Sequence, residues 1–277
     1  MMRLTRTLAF AACLAAAPAA HADEPEEGDE SPTKTKQTLV LDGKSERVNW
    51  GDGDTFTIME GPRKGFKARL KGYNTLESYG PVHFWGDGHG WDFHRVHKAA
   101  TEVARGGAWQ CTTEDTGGGY GRALVDCPDL RGKLVAEGLG HVYAYGDAVD
   151  PKLLALQHAA QHKRLGMWRF GVPNGVVTSV HSADERSGDA KKGDGKTYNR
   201  IADTRTGETW TVAHEAIFKP CDVFCHAGSC MVYIPFDARY GDRKARCVKG
   251  AEGERNRLEG PSHLTSPLPH EARPASR

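Results

Sequence analysis

The chain has 277 residues, with 37 Lys and Arg against 36 Asp and Glu and a formal net charge of +1. That length accommodates one large domain or two smaller ones. The balanced charge excludes a polycation that grips nucleic acid over its whole surface, so any such field has to be local.

The first expected element is a leader. Arg3 and Arg6 precede an apolar run from Leu8 to Ala20, and Ala20-His21-Ala22 has the small-x-small pattern of a signal-peptidase site. Residues 1–22 therefore read as a signal peptide, and the mature chain as secreted or periplasmic. Cys13 offers a lipoprotein alternative, but Phe10-Ala11-Ala12 before it makes a poor lipobox. The run is too short for a stable anchor, and no later segment is apolar enough to span a membrane. Cleavage would remove two arginines and no acid, taking the formal charge to −1. Of the seven cysteines only Cys13 lies in the leader. The even remainder, in an oxidising compartment, reads as disulfides rather than metal thiolates.

Residues 23–36 are acidic, then Pro/Thr/Lys-rich, and lack apolar periodicity, as in a flexible linker. Residues 37–172 carry the pattern of a domain. Thr38–Leu41, Thr55–Met59 and Phe66–Tyr73 alternate as half-buried strands do. Trp91–Ala104 is expected to be a helix, with Phe93, Val96, Ala99, Ala100 and Val103 on one face and Gly106-Gly107 as its stop. Ala108–Thr112 and Tyr120–Cys127 read as an antiparallel hairpin around Gly117-Gly118-Gly119. That glycine run lacks the strand–GxGxxG–helix context of a phosphate loop. Helices follow at Leu130–Glu137 and Pro151–Leu165. The sum is a β-rich α+β class, a small barrel with attached helices. After Pro173-Asn174-Gly175 the texture changes. Residues 175–250 read as a small disulfide-rich, mainly β module, with strands at Thr209–Ala213 and Cys230–Ile234 and an exposed loop at 182–197. Residues 251–277 read as a disordered tail.

Five sequence pieces then fall in order: Gly51-Asp52-Gly53-Asp54-Thr55, Ala68 to Glu77 (ARLKGYNTLE), Tyr120-Gly121-Arg122-Ala123-Leu124, Leu134 to Leu139 (LVAEGL) and Leu165-Gly166-Met167-Trp168. Together they resemble the successive signatures of the staphylococcal-nuclease-like (thermonuclease) family, over residues of about 37–170. The resemblance implies a five-stranded OB-type barrel with three helices and calcium-dependent hydrolysis of the phosphodiesters of DNA or RNA. OB barrels commonly bind oligonucleotides across one face. The resemblance says nothing about residues 175–277.

The residue types suit that chemistry. An anionic phosphodiester resists attack, so hydrolysis needs a base for water, a hard cation and donors for the added negative charge. Glu77 is the candidate base. Arg69 and Arg122 can each grip phosphate oxygens bidentately. Asp54 supplies a hard oxygen for Ca²⁺, and the matched pattern adds Asn74 and the carbonyl of Thr75. Two positions depart from the family: Asn74 stands where an aspartate is usual, and Leu76 where a proline is usual. The first removes a negative charge from the metal site; the second is expected to loosen the loop that aims Glu77. Asp52 is placed to compensate. Each residue also has a plain reading: a turn at Asp52-Gly53-Asp54, a surface charge at Arg69, a hairpin end at Arg122, a cap at Glu77.

Arg63, Lys64, Lys67, Arg69 and Lys71 form a basic run in which Lys67, Arg69 and Lys71 share one strand face. Lys67 and Lys71 are candidates to track a nucleic-acid backbone, or else a solvated face. Tyr120, Tyr143 and Tyr145 are candidates to stack on bases, or else rim packing. His94-x-x-His97 lacks the glutamate and third ligand of a zinc site. Cys111 and Cys127 lie symmetrically about the hairpin turn and are expected to be bonded, closing a loop of about 17 residues for about 3 kcal/mol. Cys221, Cys225, Cys230 and Cys247 allow three pairings and the spacing does not choose. A monomer is expected. The rival to the nuclease is a weakened OB module that binds nucleic acid without turnover, or an envelope interaction protein.

Overall fold

The computed structural model describes residues 37–115, 121–185 and 197–249. The expected leader, linker, glycine turn, C-terminal tail and Tyr120, and residues 186–196 of the expected exposed loop, lie outside the described residues. Six strands close a barrel in the order β1-β2-β3-β4-β8-β7. They are β1 (Thr38–Leu41), β2 (Lys44–Trp50), β3 (Thr55–Ile58), β4 (Lys67–Leu70), β7 (Gln110–Asp115) and β8 (Ala123–Asp126). Antiparallel pairs build the wall, and parallel pairs β1–β7 and β4–β8 close it.

The expected strand count of five is corrected to six. The strand not read from the sequence is β2, in which Lys44 and Ser45 are exposed and only Val48 and Trp50 are buried. Its alternation emerges only at the end, so a period-2 search finds little in it. The expected strand Phe66–Tyr73 is also corrected, because it breaks at Gly72. There φ is +85°, a conformation glycine adopts without the Cβ clash of other residues. Beyond the break, β5 (Tyr73–Thr75) leaves the barrel and pairs with β9 (Gly140–Val142).

Three helices cover the barrel. The first, α1 (Gly90–Gly106), buries Phe93, Val96, His97, Ala100 and Ala104. This corrects the expected face: Ala99 is exposed and Val103 only half-buried, while His97 and Ala104 take the inward positions. Trp109 closes the helix end by donating from Nε1 to the Ala104 carbonyl, 2.7 Å. The second, α2 (Pro128–Ala136), carries Pro in its first turn, and α3 (Pro151–His162) is capped by Asp150, which accepts from Lys152 N at 2.9 Å. Residues Gly166–Phe170 form a 3-10 turn pinned to the 134–139 segment by Met167 N donating to the Gly138 carbonyl, 2.9 Å. None of the described helices is long and apolar enough to cross a membrane.

The C-terminal part adds β10 (Gly175–Ser179), β11 (Thr197–Asp203) and β12 (Thr209–His214) as one antiparallel sheet. A second sheet joins β13 (Val223–His226), β14 (Ser229–Val232) and, from far upstream, β6 (His83–Trp85). A sheet therefore crosses the boundary drawn at 172–175. Hydrophobic clusters cross it too: Tyr79 and Val82 pack with Val177, Phe224 and Tyr233, and Val176 packs with Trp85, Phe93 and Trp168.

Three disulfides fix this framework. Cys111–Cys127 joins β7 to the end of β8, as expected. Cys225–Cys230 links facing positions of the β13–β14 hairpin, and Cys221–Cys247 ties the chain end back. Such bonds point to an oxidising compartment.

Candidate functional site

The site grows from the loop between β2 and β3. Asp52 Oδ1 accepts from Asp54 N at 3.0 Å, an Asx turn of the kind aspartate favours. Gly53 is pressed against its neighbours: a Cβ there would lie 2.7 Å from Thr75 Cγ2 and 3.0 Å from Ala100 Cβ. Its carbonyl accepts the Tyr73 hydroxyl at 2.6 Å. The loop is thus clamped between β5 and α1.

Asp54 is only 2 % exposed. Its Oδ2 accepts from Thr75 N at 2.6 Å and from Thr75 Oγ1 at 2.9 Å, and its Oδ1 from Thr55 Oγ1 at 3.0 Å. Arg69, on β4, forms an ion pair with the same carboxylate and also donates to Asn74 Oδ1. A buried ion pair is tolerable when its remaining hydrogen-bonding capacity is satisfied, and here it is. Burial pulls the Arg69 guanidinium down in pKa, with Asp52 acting against that shift. Burial likewise pushes the Asp52 carboxyl up, opposed by Arg69 and His97.

Glu77 follows β5, two residues beyond Thr75. Burial raises its carboxyl above the ordinary glutamate range; Arg239 is the strongest opposing influence, with Arg69 and Arg122 adding to it. Arg122 stands immediately before β8, whose Ala123 is the parallel partner of Ala68. Its charge reaches Asp52, Arg69 and Glu77. Asp54, Arg69, Asn74 and Thr75 are thus bonded to one another, and Glu77 and Arg122 lie within reach of the same charges.

The loop that holds Glu77, with Leu76 where a proline is usual, is packed on both sides. Leu76 is buried in the cluster around Trp85 and Trp168, and Tyr79 and Val82 in the C-terminal cluster. Burial of such side chains is worth roughly 1.5–3 kcal/mol each, so the loop is pinned on both sides of Glu77 by packing instead of by backbone restriction. The C-terminal part adds a latch. Arg239 Cζ lies 4.6 Å from the Tyr79 ring centre and its Nε donates to the Ile234 carbonyl at 3.1 Å. Tyr240 and Ser78 share a hydroxyl hydrogen bond of 2.8 Å. Beside them opens a cleft of about 550 Å³ whose lining includes Asp52, Thr55, Ser78, His97, Thr101 and Tyr240. No pattern in the sequence marks Arg239 or Tyr240, because they sit in an irregular segment far from the motifs they touch.

The remaining candidates divide. Lys67 and Arg69 share a face of β4, whereas Lys71 lies beyond the strand and is paired with Glu114 at 2.6 Å. Arg63 is likewise held by Asp42 and Glu46. Lys67 is exposed. The Tyr143 ring centre lies 6.0 Å from Arg69 Cζ, and Tyr145 stacks beside Tyr143 at 6.4 Å. His94 and His97 stack on one another, and His97 Nδ1 lies 3.1 Å from the Leu76 carbonyl. Burial holds His94 and His141 near 4 and His83 near 3, so all three are neutral at pH 7 and serve as packing.

Among the described residues no three His, Cys, Asp or Glu side chains are grouped to hold a metal ion. The donor chemistry of Asp54, Asn74 and the Thr75 carbonyl nevertheless suits a hard cation, which prefers oxygen ligands. Arg69 binds the same Asp54 and Asn74 side chains, so a cation and the guanidinium would compete for them. No family model and no curated protein matches the chain.

Proposed function

We propose that this chain is a secreted calcium-dependent nuclease of the thermonuclease type, hydrolysing phosphodiester bonds of DNA or RNA, with its six-stranded barrel an OB-type barrel extended by β2. The observation that supports this reading is the buried Arg69–Asp54 ion pair with the charges of Arg69 and Arg122 acting on both Glu77 and Asp52.

Glu77, with a carboxyl raised by burial and so made a stronger base, accepts a proton from water. Water oxygen bonds to phosphorus as the ester P–O bond breaks, and the departing oxygen takes up a proton from solvent. Arg69 and Arg122 hold the negative charge that accumulates on the phosphoryl oxygens. Asp54, Asn74 and the Thr75 carbonyl would hold calcium, which when bound supplies positive charge that polarises a phosphoryl oxygen.

A binding module without turnover is the second reading. It is favoured by one observation, that Arg69 already engages Asp54 and Asn74. Hydrolysis of single-stranded DNA with calcium or with a chelator separates the two. We expect calcium-dependent cleavage that falls about a hundredfold or more in kcat in Glu77→Gln and in Arg122→Ala. Full activity in either variant, or in the chelator, would overturn the site assignment. Binding without cleavage would establish the second reading.

A further inference from the structure

The geometry points to a second nucleic-acid subsite on the β10–β12 sheet, in which Tyr145, Tyr198 and Arg200 bind one or more nucleotides of a single strand that leads out of the Glu77 site.

A run of rings and guanidinium groups connects the two places. Arg69 lies against Tyr143, and Tyr143 stacks beside Tyr145. Arg200 Cζ lies 5.0 Å from the centre of the Tyr145 ring and 5.0 Å from that of Tyr198. The run thus passes from the barrel side of the chain onto β11. Its two outer tyrosines are among the most exposed large apolar side chains, Tyr145 at 46 % and Tyr198 at 38 %.

The junction is rigid. Ala144, between the two tyrosines, bridges to Glu208 beside β12. Gln157 of α3 is buried and ties both sides: its Oε1 accepts from Val142 N at 2.7 Å, and its Nε2 donates to the Thr204 carbonyl at 2.8 Å. Tyr198 and Arg200 share one face of β11 by strand alternation.

The charge of Arg200 is met by rings and hydroxyls. Among the described residues, Arg63 and Arg131 are each paired with two carboxylates and Arg69 with Asp54. Arg200 has no carboxylate partner among them. Its Nη2 donates to the Tyr198 hydroxyl at 3.0 Å and its Nη1 to Ser179 Oγ at 3.4 Å. Facing it across the sheet are Ser179 and Thr211, and facing Tyr198 is Ala213, all small and uncharged. Exposed aromatic faces around an unneutralised guanidinium suit a ligand that is both flat and anionic. Single-stranded nucleic acid has that chemistry: bases stack on tyrosines and the phosphate meets arginine. A duplex keeps its bases stacked on one another and offers the rings nothing.

The direction of the strand and the chemistry at Glu77 rest on the proposed nuclease reading; the subsite itself does not. The test is therefore a binding measurement in chelator, where no hydrolysis is expected. Fluorescence anisotropy of a labelled single-stranded dodecanucleotide is compared for the full chain and its variants. Tyr198→Ala is expected to weaken binding about tenfold, and Tyr198→Phe to retain most of it, since stacking needs the ring and not the hydroxyl. Arg200→Gln is expected to weaken binding and to lower the slope of log affinity against log salt by about one phosphate contact. Affinities within twofold of wild type for both Tyr198→Ala and Arg200→Gln overturn the subsite, even if the chain cleaves DNA. Equal affinity for the matching duplex also overturns it. A wild-type chain that binds through these residues yet cleaves nothing upholds the subsite and removes the nuclease reading.

Discussion

Arg69 and Arg200 sit at opposite ends of one run of tyrosines and solve the problem of a partly buried charge in opposite ways. Arg69 is neutralised within the fold by Asp54 and further bonded to Asn74. Arg200 is sheltered by two rings and two hydroxyls and has no carboxylate partner among the described residues. The first arrangement fixes a geometry, because each donor and acceptor is committed. The second leaves charge available to an incoming anion. A charged side chain is therefore informative about function only once its partners are known, and residue type alone does not separate the two cases.

The largest effect that tests this contrast is on stability. Arg69→Ala strands the Asp54 carboxylate in a buried site and is expected to cost about 3–5 kcal/mol. Arg200→Ala gives up contacts with two rings and is expected to cost about 1 kcal/mol or less. Urea unfolding of both variants measures the difference, and equal losses would erase the distinction. A smaller effect compares the disulfides of the two regions. In the chain-entropy view, opening the Cys111–Cys127 loop, sequence separation 16, costs about 3 kcal/mol. Opening Cys225–Cys230, separation 5, costs about 2 kcal/mol. Thermal denaturation of the paired Cys→Ser variants gives the order.

The smallest effect couples the regions. Arg239 favours the ionised form of Glu77. Its removal in Arg239→Ala takes away a positive neighbour, so the Glu77 pKa rises further. If Glu77 is the base, activity develops as the pH rises through that pKa, and the acid limb of the kcat profile moves to higher pH. Arg239→Lys should restore most of the wild-type position. A limb that stays in place in Arg239→Ala would detach the C-terminal part from the chemistry.

Much of the barrel side was legible in the sequence. Local signals dictated β3, the three helices and the β7–β8 hairpin, since apolar periodicity, Pro at helix starts and glycine stops act within a few residues. The Cys111–Cys127 bond followed from symmetry about a turn. The grouping of Asp54, Arg69, Glu77 and Arg122 came from the resemblance of their motifs; the fold pairs Asp54 with Arg69 and sets Glu77 within the influence of Arg69 and Arg122. The strand β2 was hidden by its polar first half, and β6 by its shortness and its pairing with a distant strand. Arg239, Tyr240, Tyr198 and Arg200 carried no signal at all. Their significance lies largely in neighbours far along the chain, up to 162 positions away.

The sequence by itself determined which residues of the barrel side are chemically equipped: acids, arginines and tyrosines at spacings that strands and turns impose locally. The tertiary structure decided which of those charges are already satisfied and what holds the reactive loop. Leu76 was expected to loosen Glu77 because a proline restricts the backbone. The fold buries Leu76, Tyr79 and Val82, on either side of Glu77, in two separate clusters. Burial and charge compensation depend on contacts between segments remote along the chain, so no local pattern could have supplied them.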